Sequence, residues 1–187
     1  MKTYHLAAGA GGFGDGRHPT TACTLAALEA IDPAVFSPRL ACDMGAGSGI
    51  LSFAMYERFR CPVLAVDIAH SAIEMLEENR QANAVPARAA GSAAPGVLAL
   101  VAPGFDHPTI RAEAPFDLIV MNILAEPLLA LAAEAVALLA EDGVLILSGM
   151  LLWQEATLRA AYEGLGLALS LRLTQGDWVT LVWQREG

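Results

Sequence analysis

The segment Asp43-Met44-Gly45-Ala46-Gly47-Ser48-Gly49 leaves this 187-residue chain few folds to choose from. The run 39–44 that leads into the glycines reads as a short strand, and residues 50–60 after them repeat apolar side chains at helical spacing. A strand, a glycine loop and a helix in that order open a parallel βαβ unit. The chain continues in kind: 62–66 is a second apolar run ending at Asp67, and 71–83 carry the Glu and Arg pattern of an exposed amphipathic helix.

Upstream, residues 8–16 are too rich in glycine for regular structure and read as a flexible or ligand-wrapping loop. A helix is predicted over 22–31, with a Thr of the preceding His18-Pro19-Thr20-Thr21 as its cap. Residues 84–114, rich in Ala, Pro and Gly, read as irregular, with a third strand at 97–101. Clearer signal returns at 116–121, a continuous apolar strand ending in Asn122, and at 127–140, a helix with Pro127 in its first turn. A strand at 144–147, a helix at 151–163 and two strands at 167–173 and 178–183, joined by Gln175-Gly176-Asp177, complete the chain. Strands alternating with helices predict the α/β class: a doubly wound, seven-stranded, mostly parallel sheet closed by an antiparallel hairpin, with residues 1–187 as one domain.

Composition narrows the function. With 55% apolar and 17% charged residues the chain is expected to bury a substantial core. A net charge of −9 excludes a surface built to neutralise phosphate backbones and fits a basic or cationic partner, although acidity also serves solubility. Cys23, Cys42 and Cys61 lie far apart, without a CxxC pair or a neighbouring His, so reduced, buried thiols are expected and no metal site. The N-terminus has no apolar stretch of signal-peptide length, and the apolar region 116–140 is broken by Glu126, Pro127 and Glu134. A cytoplasmic protein without membrane attachment is therefore expected, its oligomeric state left open.

In an open α/β sheet ligands sit at the carboxyl ends of the strands near the switch point, where Asp43, Asp67 and Asn122 all fall. Taken singly, each has a structural alternative: a glycine loop for tight turning, an Asp as a helix cap, an Asn as a turn residue. Gly45, Gly47 and Gly49 remove side chains so that a backbone can approach a ligand beside the free N–H groups of a helix start. The order Asp-x-Gly-x-Gly-x-Gly departs from the Gly-x-Gly-x-x-Gly of nicotinamide and flavin sites. S-adenosylmethionine (SAM) needs no pyrophosphate cradle, and a carboxylate just before the glycines suits its cationic amino-acid end. Asp67, about twenty residues past the glycines, is placed to accept both ribose hydroxyls.

Asn122-Ile123-Leu124 adds a reaction centre, because an amide oxygen and nearby backbone carbonyls accept hydrogen bonds from an amine. A lysine must lose its proton before it attacks, at a cost of roughly 4 kcal/mol near neutral pH. Acceptors fixed at a strand end hold and aim the neutral nitrogen, and that positioning supplies much of the rate. His18 and His107 each precede a proline and are assigned structural roles; Trp153, Trp178 and Trp183 are assigned none.

Four segments together, 12–21 (Gly-Phe-Gly-Asp-Gly-Arg-His-Pro-Thr-Thr), 43–51, 122–128 (Asn-Ile-Leu-Ala-Glu-Pro-Leu) and 147–151 (Leu-Ser-Gly-Met-Leu), resemble the bacterial ribosomal protein L11 methyltransferase family, PrmA. The likeness covers nearly the whole chain and includes the closing Gly176-Asp177-Trp178-Val179. It implies a Rossmann-like class I SAM methyltransferase acting on lysine or α-amino nitrogens of a protein, a basic ribosomal protein foremost, with no direct nucleic-acid binding. It also implies that Thr21, Gly45, Asp67 and Asn122 touch SAM, the role of Thr21 resting on the resemblance alone. Asp15 stands where the family usually has Thr, and 87–102 matches poorly, which leaves the adenine-contacting residues around Gly104-Phe105 unassigned. Family members carry a separate N-terminal substrate-recognition domain, which is expected to be absent here. Methylation of another protein or a small molecule, a SAM-binding module without catalysis, and a nicotinamide dehydrogenase are the competing readings.

Overall fold

The computed structural model describes residues 4–6 and 18–185. The expected loop at 8–16, with Asp15, lies outside the described residues, which resume at His18. Helix α1 (Pro19–Ala30) starts three residues earlier than the pattern predicts, and its cap is a histidine. The His18 ring accepts the Thr20 N–H, and Pro19, which has no N–H to satisfy, fits the first turn. The same His-Pro-Thr triplet opens a helix within the stretch read as irregular. There His107 Nδ1 accepts the Thr109 N–H at 3.1 Å at the start of α4 (Pro108–Glu113), and six residues are too few to show a period.

Between these helices lie β1 (Ala41–Met44), α2 (Ile50–Phe59), β2 (Pro62–Asp67), α3 (His70–Ala82) and β3 (Gly96–Val101). After α4 come β4 (Phe116–Asn122), α5 (Ala125–Ala130), α6 (Ala132–Leu138), β5 (Leu139–Leu151), α7 (Glu155–Glu163), β6 (Leu167–Gln175) and β7 (Trp178–Arg185). The helix expected over 127–140 is thus two short helices that break at Leu131, and β5 is thirteen residues long. Alanine and leucine fill both sides of the Leu138–Leu139 boundary, so hydropathy could not locate it.

The strands form one sheet in the order β3-β2-β1-β4-β5-β7-β6. The first five run parallel, and β7 inserts antiparallel between β5 and β6. The order reverses between β1 and β4, which makes that junction the switch point. Alternation along the central strands supplies both faces of the sheet. Ile119, Met121, Leu145 and Leu147 point into one core with Leu128, Tyr162 and Trp183; Leu118, Val120, Val144 and Ile146 point into the other with Leu28, Phe53 and Met55. All three cysteines are buried in these layers or against them. Among the described residues no helix is long and apolar enough to cross a membrane.

Candidate functional site at the strand ends

The glycine loop is tied to the end of β2. The Gly45 and Ala46 N–H groups donate to the Val66 carbonyl at 2.8 and 2.9 Å, and the Gly47 N–H donates to Asp67 Oδ2 at 2.9 Å. Asp67 Oδ1 accepts the Ala69 N–H at 3.0 Å, so one carboxylate braces both the loop and the turn into α3. The Asn79 amide reaches across from α3 to donate to the Ser48 carbonyl at 2.9 Å.

All three loop glycines have positive φ, but they do different work. A Cβ on Gly45 would lie 2.2 Å from Ile123 Cγ2, and one on Gly49 would lie 2.6 Å from Phe53 and 2.7 Å from Leu76. Those two glycines make room for the protein itself. A Cβ on Gly47 would meet nothing within 4 Å, so the loop is open to a ligand at Gly47.

Asp43 is fully buried beneath this loop. Its Oδ2 accepts the Ser52 hydroxyl at 2.5 Å, the Ser52 backbone also bonds the carboxylate, and Oδ1 has no hydrogen-bond partner among the described residues. Burial pushes the Asp43 carboxyl up to about 7; the Ser52 bonds oppose the rise and nearby Asp67 adds to it.

At the end of β4, Asn122 stands in register with Ser148 on β5. The Asn122 amide donates to Thr21 Oγ1 at 3.4 Å across from α1, while its Oδ1 is buried without a partner among the described residues. Sequence reasoning brought Asn122 to this end; the fold brings Thr21, one hundred and one positions away, against it. A buried polar cluster sets the distance between the two. Ser148 Oγ donates to the Thr20 carbonyl at 3.2 Å and shares a hydrogen bond of 2.7 Å with Thr180 Oγ1, and the Thr24 hydroxyl donates to the same Thr20 carbonyl at 2.8 Å. Ile123 is held from both sides: its N–H donates to the Ser148 carbonyl at 3.2 Å, and a Cβ on Gly149 would lie 2.2 Å from the Ile123 carbonyl oxygen.

Ser52, Ser148, Thr180 and Gly149 were not reached from the sequence. Only the Leu-Ser-Gly segment hinted at them, because a lone Ser or Thr in an apolar strand has no periodic signature. Phe105, in the region of the unassigned adenine contacts, is buried in the core. His18 packs edge-on against Trp178 at 4.9 Å, which joins the start of α1 to the start of β7. Cavities of about 220 and 320 Å³ flank α1, lined in part by Tyr4, Leu25 and Arg58, and by Val35, Phe36 and Leu171; neither includes Asp43, Asp67 or Asn122.

The profile of the ribosomal protein L11 methyltransferase (PrmA) family matches residues 4–186. The chain belongs to the PrmA family. A relative named ribosomal protein L11 methyltransferase from Allorhizobium ampelinum is 40% identical over 171 residues, covering 90% of this chain and 55% of the relative. The crystal structure of a ribosomal protein L11 methylase from Lactobacillus delbrueckii subsp. bulgaricus superposes with a TM-score of 0.78 at 30% identity, over 92% of this chain and 82% of the other. NodS, an N-methyltransferase from Bradyrhizobium japonicum WM9 solved with S-adenosyl-L-homocysteine, shares the fold with a TM-score of 0.67 at 12% identity, over 91% of this chain and 90% of the other. The chain thus spans a little over half the length of the curated PrmA relatives it matches. The PrmA match also accounts for the doubly wound sheet with its antiparallel closing strands, as the sequence predicted.

Proposed function

We propose that this chain transfers methyl groups from SAM to lysine or α-amino nitrogens of a protein, ribosomal protein L11 being the first acceptor to test. The observation that carries the reading is the buried Oδ1 of Asn122, beside Thr21 at the carboxyl end of β4, which has no hydrogen-bond partner among the described residues. A buried acceptor left without a donor costs about 1–3 kcal/mol, and an amine N–H placed there recovers it.

The chain's residues fit SAM as the donor. The loop is open at Gly47, and the charged side chains next to it, Asp43 and Asp67, are both acidic. Two carboxylates suit a cation and would repel a pyrophosphate. SAM supplies a methyl group activated by a positive sulfur. In this reading Gly45 and Gly47 shape the loop around the donor. Asp67 keeps lone pairs free for ribose hydroxyls while it accepts its two backbone N–H groups. Asp43 supports the loop from below and contributes negative charge toward the donor. Thr21 fixes the Asn122 amide through its NH₂ group, which leaves Oδ1 aimed at the acceptor.

Asn122 is the catalytic residue. Its Oδ1 accepts from the neutral amine and holds the nitrogen lone pair toward the methyl carbon, and positioning of this kind supplies much of the rate. The N–C bond forms as the C–S bond breaks, and the surplus proton passes from the product nitrogen to water. We read residues 1–187 as one donor-binding domain of a cytoplasmic protein whose partner is its protein acceptor.

Labelled SAM incubated with the chain and purified ribosomal protein L11 tests this reading. Label is expected on lysine or α-amino nitrogens of L11. No transfer, under conditions where calorimetry shows SAM bound, would remove L11 as the acceptor.

A further inference from the structure

Seven large apolar side chains are exposed among the described residues, and four of them gather at one end of the sheet. Ile68 directly follows β2 and is 72% exposed; Leu124 follows β4 at 57%; Leu152 and Trp153 follow β5 at 38% and 77%. An exposed indole and exposed leucines at one end of the sheet offer apolar surface of the kind that a protein interface covers.

Among the described residues, the connections at the same end carry acidic but no permanently cationic side chains. The connections leaving the carboxyl ends of the strands, residues 45–49, 68–69, 102–107, 123–124 and 152–154, and the β6–β7 turn at 176–177 contain no Lys or Arg. Asp106 there is tied to Arg111, and Glu155 just beyond is tied to Arg172. Glu126, exposed in the first turn of α5, and Asp177, exposed in the β6–β7 turn, enter no ion pair among the described residues. Arg39, Arg60, Arg88 and Arg185 lie at the opposite end, where the parallel strands begin and β7 ends.

Connectivity sets Leu124 next to Asn122 and carries Leu152 and Trp153 past the end of β4, just beyond the neighbouring strand β5. Leu124 is two residues beyond it, and Ser148, its register partner, leads through Gly149 to the turn carrying Leu152 and Trp153. That turn is anchored, because the Leu152 N–H donates to the Asp177 carbonyl at 2.9 Å and Gln154 Oε1 accepts the Leu151 N–H at 2.8 Å. The side chains of Leu152 and Trp153 are therefore held outward on a fixed base next to an acidic turn.

We propose that Leu124, Leu152 and Trp153, with Glu126 and Asp177, form the docking rim for a positively charged polypeptide segment of the methyl acceptor. The proposal rests on the methyl-transfer reading above. Charge complementarity selects the occupant: a nucleic acid or an anionic membrane would be repelled, whereas a segment rich in Lys with apolar neighbours satisfies both the carboxylates and the indole. The rim thus acts on acceptor choice and leaves the donor site alone.

Binding of purified ribosomal protein L11 to the chain, measured by calorimetry in the presence of S-adenosylhomocysteine, tests the proposal with two variants. Leu152→Ser/Trp153→Ser is expected to weaken L11 binding at least about tenfold, the scale of a lost aromatic anchor, with SAM affinity unchanged. Glu126→Gln/Asp177→Asn is expected to weaken it several-fold at low salt and to flatten its salt dependence. Equal binding by parent and variants, no L11 binding by the parent, or a rim that mediates only self-association of the chain in sedimentation would each overturn the proposal. L11 binding that is lost in the variants but leads to no methyl transfer by the parent would uphold the rim and overturn the enzymatic reading alone.

Discussion

Asn122 divides its amide between two tasks: the NH₂ group meets Thr21, and the oxygen is buried without a donor among the described residues. Replacing it with Ala removes both the proposed acceptor for the amine and the contact with α1, but leaves Gly47 and Asp67 as they are. Asn122→Ala is expected to lower methyl transfer about a hundredfold or more while SAM binding changes only a few-fold. Single-turnover assays beside calorimetric titration check this, and retained transfer would remove Asn122 from the reaction. The loop glycines allow a sharper contrast. Gly45→Ala combines a left-handed backbone with a methyl group driven into Ile123, so it is expected to cost about 3 kcal/mol or more. Gly47→Ala has the left-handed backbone but open space around the new methyl, so its folding cost is only about 1–2 kcal/mol. Urea unfolding should rank the two variants in that order, and SAM affinity should fall for Gly47→Ala because its methyl enters the space left for the ligand. A Gly47→Ala chain that binds SAM as the parent does would show that the donor lies elsewhere.

Elements with a period of their own were legible in the sequence. Strands β1 to β4, α2, α3 and the closing hairpin fall close to where apolar spacing puts them, and Asp43, Asp67 and Asn122 lie at strand ends as predicted. Strand β5 instead runs well past the expected 144–147 at both ends, so that α7 starts at Glu155 and not at 151. What escaped was set by contacts between elements. Helix α4 has six residues and begins at a histidine cap, and the α5–α6 break sits inside an unbroken apolar run. The Ser148–Thr180–Thr20 cluster depends on β7 inserting beside β5, which no local pattern announces. Arg88 belongs to the same class, since its loop was read as irregular. It is in fact buried, donating to the Val63 carbonyl at 3.2 Å and to both oxygens of Glu113 on α4 at 3.1 and 2.5 Å. Burial alone would raise the Glu113 carboxyl, but the Arg88 and Gly91 bonds hold it below its usual value. This pair therefore stabilises the fold above the ordinary carboxylate pKa and loses that contribution as acid titrates Glu113 through its depressed value. Glu113→Gln leaves a buried guanidinium uncompensated and is expected to cost about 3–5 kcal/mol, read as a lower urea midpoint. SAM affinity should be unchanged, because the pair lies at the end of the sheet away from the site.

Across the whole molecule, the proposed donor binding is coupled to folding through Asp43. Its carboxyl is raised by burial to about 7, against about 3.9 in an unfolded chain. Between those values the folded state binds the proton more tightly, so the Asp43 contribution to stability is fully present below pH 4 and is lost as pH rises through 7. A cationic donor reverses the preference, because it favours the ionised carboxylate just as ionisation becomes costly in its absence. SAM binding should therefore release a proton from this carboxyl near neutral pH, and affinity should rise from pH 6 to pH 8. A hundredfold excess over Kd adds about 2.7 kcal/mol to stability, which for a chain of this size raises Tm by about 5–10 °C. The SAM-induced rise in Tm, measured at equal SAM concentration, should accordingly be larger at pH 8 than at pH 6. Asp43→Asn should abolish that difference while keeping a neutral partner for Ser52. A parent chain whose SAM-induced stabilisation is the same at both pH values would mean that this carboxylate does not sense the donor. The pocket would then depend on Asp67 and the open glycine loop alone.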